Sequence, residues 1–519
     1  HLPPGRDQGI FATAGLMVSE GRVLYRDIFE VKQPLLLFAY AGVLRLADAA
    51  GAAAFHVEAI NLLDQLVRAL AIPLLYVLGA RLFGRPTGLA TAALFGVMGL
   101  ALYGGFWNVA QAESFAGPLT ALAFLAALRG RDREGWGWWG LAGAAAAAAA
   151  LFKATALVPA LVVALMALGL GSSGPASRRL VIRRLATGLA GGILVALPLL
   201  GYFLAHGALG DLLDVQVGFN RFHGWRQPLA DIARIQAAVF VLPWWCEPRG
   251  LIQTAAAAAA LVLAVRGPWP VRWLAVWYGL AWVTVPLQGK LWDYHYALLL
   301  PPQALLTAWC VRVLVGRAAW RGWRALPAAA LAAVLALQLT GLAERYGADV
   351  GDDVARLTGR LGAGEYVALS RFQIEGRQIY RSRDLREAAA ALRERAARGN
   401  RLMVFGLDQT LNFLSGLLPT TRYLYSYPLV LEIAGYGPER ERRRREFLAA
   451  IQKRPPRFLV VPDGPIDEVT GRSPARQIEE FESFCAWALA RYAPWRKIGA
   501  YAVFEHTDSG RAGEDREDR

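Results

Sequence analysis

VLYRDIFEVKQPLLLFAYAGVLRLADAAG, residues 23–51, starts polar and turns apolar at Pro34. The apolar run meets Arg45 and Asp48 before it reaches the roughly 20 residues that a spanning helix needs. A charge held at mid-bilayer costs about 2.5–3.5 kcal/mol on insertion scales. If the run lies flat at the interface instead, both charges stay wet. The choice decides the face on which every later loop falls.

The rest of the chain makes that choice. Of 519 residues, 55% are hydrophobic and 19% charged, where a soluble chain of this length carries about 25% charge. Apolar runs suited to membrane helices recur at roughly 57–80, 88–105, 115–129, 136–151, 153–170, 186–206, 251–266, 272–287, 295–312 and 325–343. Five short segments between them hold fifteen arginines (Arg81 and Arg85; Arg129, Arg131 and Arg133; Arg178, Arg179, Arg183 and Arg184; Arg266 and Arg272; Arg312, Arg317, Arg321 and Arg324) against two acids, Asp132 and Glu134. Basic short loops mark the cytoplasmic side. With the first segment outside, all five face the cytoplasm only if residues 34–50 do not span, so that run is predicted to be an interfacial helix on the outer surface. The weak point is AAAAAAALFKATALVPAL within 136–170, which reads either as two helices or as one bent helix.

The fold expected is a polytopic α-helical membrane protein of about ten spans, with interfacial helices in the first outer loop and a C-terminal extracytoplasmic α/β domain. Its parts are a transmembrane domain over 1–343, of which 1–56 is the first outer loop, a soluble domain over 344–505, and a disordered tail over 506–519. The tail domain is read from strands such as EYVALS, RLMVFG, RFLVVP and AYAVFE, alternating with helical runs such as LREAAAALRERAARG. ERERRRRE, residues 439–446, reads as a solvated helix face. The net charge of +15 reports membrane topology, and with no nucleic-acid module in view nucleic acid is not a partner. Cys246, Cys310 and Cys485 form neither a disulfide framework nor a metal knuckle. There is no P-loop, GxSxG or HExxH.

On this topology the outer segments collect the polar residues. Asp7, in RDQGIFATAGLMVSEG, reads either as a carboxylate placed to take a proton from an acceptor hydroxyl or as the N-cap of a helix from Ile10. Lys32 reads either as a phosphate-binding point charge or as a snorkelling residue, with Tyr25, Arg26, Asp27 and Glu30 crowded into the same loop. Asn108, Gln111 and Glu113 gather at the mouth of one span, and Lys153 is a lone charge between apolar runs. LQGKLWDYHYALLLPP adds Lys290, Asp293, Tyr294 and His295. His206, His223 and His295 lack metal-ligand spacing; no resident cofactor is read, and a divalent metal is left open.

In order and spacing, RDQGIFATAGLMVSEGRVLYRDIFEVKQPLLLF, NVAQAESFA, LFKATALVPAL, DYHYALLLPP, RLMVFGLDQTLNFLSGLLPTTRYLY and RPPRFLVVPD resemble the C-superfold membrane glycosyltransferases of the dolichyl-phosphate-mannose–protein mannosyltransferase and aminoarabinose transferase type. The resemblance implies sugar transfer from a polyprenyl-phosphate donor to a glycan, lipid or protein acceptor at the outer leaflet of a bacterial cell membrane, by inverting single displacement. It makes Asp7 the general base, Glu113 a second acidic site residue and Lys32 the ligand of the donor phosphate, with Lys153 and Lys290 assisting. Tyr25, Asp27, Asn108, Gln111, Asp293, Tyr294 and His295 would line the substrate cavity. Two departures stand out: Gln8 where relatives carry a second acid, and Gln33 for the first proline of the usual KPP. The family also places a spanning helix before this loop, ahead of residue 1. A lipid-linked-sugar flippase or a non-catalytic assembly partner would share the apolar body, but the charges collect at one face, which favours the enzyme.

Overall fold

A computed structural model describes residues 5–101, 109–170, 176–223, 248–289, 292–318, 382–463 and 470–509, with a few isolated positions elsewhere. The described helices begin with α1 (Arg6–Ser19), α2 (Pro34–Ala49), α3 (His56–Phe83), α4 (Arg85–Ala101) and α5 (Ala112–Arg133). They continue with α6 (Trp136–Phe152), α7 (Leu157–Ala167), α8 (Arg178–Ala205), α9 (Pro248–Arg266), α10 (Trp269–Leu287) and α11 (Leu300–Ala318). Toward the C-terminus lie α12 (Ser382–Arg395), β1 (Leu402–Val404), α13 (Thr410–Ser415), α14 (Gly437–Lys453), β2 (Phe458–Pro462), β3 (Tyr492–Ile498) and β4 (Tyr501–His506). Each of the first nine apolar runs contains a helix, and the tenth, 325–343, lies outside the described residues.

The chain divides into two compact units: His1–Ile60 with Phe203–His223 and Gly359–Arg519, and Asn61–Tyr202 with Gly224–Thr358. This differs from a division at residue 343, because the first loop folds with the C-terminal domain. Ordered structure also runs past 505, since β4 ends at His506 and a 3-10 turn covers Thr507–Ser509.

In the first unit, α1 is buried on nearly all sides. A Cβ on Gly9 would lie 1.9 Å from the Thr410 hydroxyl, and one on Gly15 would lie 2.8 Å from Cβ of Tyr40. Glycine at these two positions lets α1 pack between α13 and α2. The 16 residues of α2 rise about 24 Å, short of a hydrocarbon core of about 30 Å. Its buried stripe of Leu37, Tyr40, Ala41, Leu44 and Ala47 has helical spacing and faces inward. Leu36, Leu37 and Leu44 are therefore packed against protein, not lipid; the outer side carries Leu35, Phe38, Val43 and the exposed Leu46. Arg45 donates to the Ser19 carbonyl and His56 pairs with Asp48 at 2.7 Å, so both awkward charges have protein partners.

The sheet has the order β1-β2-β4-β3, with β1 and β2 parallel and the other pairs antiparallel. EYVALS lies outside the described residues. The sequence gives little sign of β3, YAPWRKI: it is an edge strand with proline, exposed charges and a register shift at Pro494, which suits an edge better than an alternating pattern would. One face of the sheet is covered by Leu385, Ala388 and Leu392 of α12. ERERRRRE is not a solvated face throughout, because Arg443 of α14 is 1% exposed and ion-paired with Asp214.

The second unit holds the apolar helices. Among the described residues, three helical stretches are long and apolar enough to cross a membrane: Ala53–Phe83, Arg178–Ala205 and Tyr294–Gly316. Almost none of α8 is buried, and it exposes Leu189, Ile193, Leu194 and Leu197, a surface suited to lipid. The chain breaks at Lys153, whose backbone is extended (φ −149°, ψ 109°), so α6 and α7 are two helices and not one bent rod. A Cβ on Gly143 of α6 would lie 1.8 Å from the Gly188 carbonyl oxygen of α8, and one on Gly191 would lie 2.0 Å from that of Gly140. Small residues here let two backbones touch, which is how apolar helices gain dispersion contacts without a hydrophobic drive. Gly143→Ala is expected to destabilise the purified protein by about 1–3 kcal/mol through overpacking. Gly137→Ala, at a position with open space around it, should leave the apparent Tm within a degree or two of wild type on the scale of ordinary surface substitutions.

Candidate active site

The loop 20–33 is assembled by its own polar side chains. Asp27 accepts from the Val23 amide at 2.8 Å and donates its own amide to the Val23 carbonyl, closing a turn. Tyr25 takes a left-handed backbone (φ 66°), an uncommon state for a bulky residue. Its ring stacks on Phe203 at 5.5 Å and its hydroxyl donates to the Lys32 carbonyl at 2.8 Å. Tyr25, wholly buried, and Asp27 thus both make hydrogen bonds that build the loop.

That loop brings Lys32 to α1. The Lys32 ammonium lies 4.0 Å from an Asp7 carboxylate oxygen and 5.3 Å from the centre of the Phe11 ring. Asp7 is in the first turn of α1, whose N-cap is Gly5, so it is not the cap of a helix from Ile10; a carboxylate there is favoured by the helix dipole. Glu30 lies beneath the pair, 1% exposed, accepting from the Lys32 amide at 3.1 Å. Burial raises its pKa from 4.5 to about 7, opposed by the neighbouring Lys32 charge and assisted by that of Asp7.

The second unit has a polar cluster of its own. Glu113 is fully buried in the first turn of α5, and Lys153 meets it at 2.7 Å from the break after α6. The rings of Phe115 and Phe152 stack at 4.8 Å and 9°, fixing the two helix ends together. Arg68 of α3 pairs with the buried Asp64 at 2.7 Å and donates to the Ser114 hydroxyl at 3.2 Å. Asp64 and Arg68 were not among the residues expected from the sequence. Their signal was present, as two opposite charges four residues apart inside an apolar span, where charges are rare unless paired. Gln111 is buried at the start of α5. Asp293 opens the 3-10 turn Asp293–Leu299, and Tyr294 and the buried His295 meet edge to face at 4.7 Å. Asn108 and Lys290 lie outside the described residues. Asp7 and Lys32 therefore belong to one unit, and Glu113 and Lys153 to the other. Among the described residues no three of His, Cys, Asp and Glu gather as a metal site.

Residues 32–203 match the family model described as dolichyl-phosphate-mannose-protein mannosyltransferase, a stretch that includes Lys32, Glu113 and Lys153. Among solved structures, ArnT from Cupriavidus metallidurans bound to undecaprenyl phosphate is similar with a TM-score of 0.56 at 15% identity, over 97% of this chain and 94% of that one. The chain has the fold of that structure. The apo state of the same protein gives the same TM-score and identity, over 98% of this chain and 94% of that one. The oligosaccharyltransferase of Archaeoglobus fulgidus, at 12% identity over 96% of this chain and 68% of that one, has a TM-score of 0.46, too low to bear on the fold. No curated protein matches by sequence.

Within this fold, Glu30 gives the loop a pH dependence. The folded chain keeps the Glu30 proton up to about pH 7, whereas the unfolded chain loses it near 4.5. Folding therefore takes up a proton between those values, and stability falls as pH rises through that window. The apparent Tm of the full chain is expected to drop from pH 5 to 7.5, and Glu30→Gln should flatten that drop. An equal slope in both proteins would contradict the burial argument.

Proposed function

We propose that the chain is a glycosyltransferase that moves a sugar from a polyprenyl-phosphate donor to an acceptor hydroxyl at the outer face of a bacterial cell membrane, the acceptor being a glycan, lipid or protein. The observation that supports this most is the placement of Asp7 beside Lys32. In the proposed step the acceptor oxygen bonds to the anomeric carbon as the bond to phosphate oxygen breaks, with inversion. Asp7 takes the acceptor proton, and polyprenyl phosphate leaves with its charge met by Lys32. At 4.0 Å the two side chains are too far apart to hydrogen-bond each other.

The topology belongs to the same proposal: about ten spans, the five arginine loops in the cytoplasm, and α2 on the outer surface with the C-terminal domain. The short length of α2 and its protein-paired charges support that placement.

Asp7→Asn is expected to lower kcat for transfer at least ~100-fold, within the range ascribed to general bases, with polyprenyl-phosphate binding unchanged. Lys32→Met should weaken that binding. Transfer at the wild-type rate by Asp7→Asn would remove the base assignment. Failure of membranes carrying the chain to consume any labelled polyprenyl-phosphate sugar would remove the function.

A further inference from the structure

The Val31 and Lys32 carbonyls lie just before α2, where no helix can satisfy them, since Pro34 begins that helix. Both are satisfied from one place. Gln216 donates its side-chain amide to the Lys32 carbonyl at 3.0 Å and to that of Val31 at 3.2 Å, and Asn220 donates to the Val31 carbonyl at 3.2 Å. Gln33 donates to the Gln216 side-chain oxygen at 3.3 Å. Gln216 sits in a π-helical turn, Asp214–Phe219, a rare widened geometry that occurs mostly as single turns and frequently at functional sites.

Two residues before Gln216, Asp214 is gripped from the other side. Arg443 donates to both of its carboxylate oxygens, at 2.9 and 3.0 Å, while its guanidinium rests 4.8 Å from the Phe29 ring and 5.5 Å from the Phe219 ring. Arg442 adds a contact to Asp214 at 3.1 Å. A bidentate pair with one partner almost wholly buried is rigid, and removing either member leaves a charge in the interior. Phe29 is also tied to the C-terminal domain through its amide, which donates to the Arg422 carbonyl at 2.7 Å.

We infer that the π-helical turn, fixed by Arg443 through Asp214, positions the Lys32 ammonium for the phosphate of a polyprenyl-phosphate ligand, making Gln216 and Arg443 positioning residues. The inference rests on the assignment of Lys32 to that phosphate. It gives the C-terminal domain a part in setting ligand affinity, with Arg443 acting through Asp214.

The test uses the full chain in detergent, with undecaprenyl phosphate as the probe. Arg443→Ala risks unfolding, so the variants are Asp214→Asn, which keeps the shape of the side chain, and Gln216→Leu. Hydrogen exchange of the 24–33 segment should speed up in both. Gln216→Leu should weaken probe binding about tenfold in the wild-type background and not at all in a Lys32→Ala background, because it acts only by misplacing that lysine. Unchanged exchange in both variants overturns the positioning role. Equal weakening with and without Lys32 also overturns it, since Gln216 would then act on the ligand directly. If Lys32→Ala alone binds the probe as wild type does, the phosphate assignment and the coupling to ligand fall, while exchange still decides whether the turn holds the loop.

Discussion

Two peptide carbonyls, those of Val31 and Lys32, have to be satisfied outside any helix, and the first compact unit is organised around that need. A buried carbonyl without a partner costs about 1–3 kcal/mol, and these two, in a half-buried loop, are supplied with donors. They come from Tyr25 within the loop and from Gln216 and Asn220, nearly two hundred residues away. Glu30 and Tyr425 complete the set from the other side, the one accepting the Lys32 amide and the other the Val31 amide. With backbone donors and acceptors held on both sides, the Lys32 backbone is fixed, and its side chain starts from one defined point. It comes to rest between Asp7 and the ring of Phe11.

The same reasoning explains which parts could be read from the letters. Apolar runs and basic loops are local, and nine helices stand where those runs are. The short α2 could be read too, since Arg45 and Asp48 interrupt it and the arginine loops leave no room for a span. Arg443 could not. ERERRRRE is compositionally a surface helix, and nothing in it distinguishes the arginine that is almost wholly buried. Its meaning depends on Asp214, 229 residues earlier, in a stretch with no motif. The fold of the first loop with the C-terminal domain was hidden for the same reason, because it rests on single polar contacts between distant segments and not on a pattern.

For the candidate site, Asp7, Lys32, Glu113 and Lys153 were each legible as charges in apolar or interfacial surroundings, and the structure joins them as two pairs. What their spacing left open was the division of labour in the first loop. Tyr25 and Asp27 have the polarity of ligand-binding residues, yet their hydrogen bonds go to the loop itself. A polar residue near a site has two possible employments, and the accounting of backbone partners separates them. Asp64 and Arg68 show the converse. They look like a structural i,i+4 pair, but through Ser114 they reach the residue next to Glu113.

The two pairs differ in the freedom they leave their charges, and that bears on which of them could meet a substrate. Lys153 and Glu113 are in direct contact at 2.7 Å, with the carboxylate fully buried. Separating them would strand a charge in the interior, at a cost of about 3–5 kcal/mol when a buried pair is broken. Such a pair can set the local potential, but it is a poor candidate to exchange partners in each turnover. Asp7 and Lys32 are 4.0 Å apart, and Asp7 is about a third exposed. There the interaction is longer and, on the Asp7 side, partly screened, so it costs less to exchange. A group that gives or takes a proton has to be reachable and replaceable in this sense. On physical grounds the looser pair is the better suited of the two to exchange a proton or a charged partner.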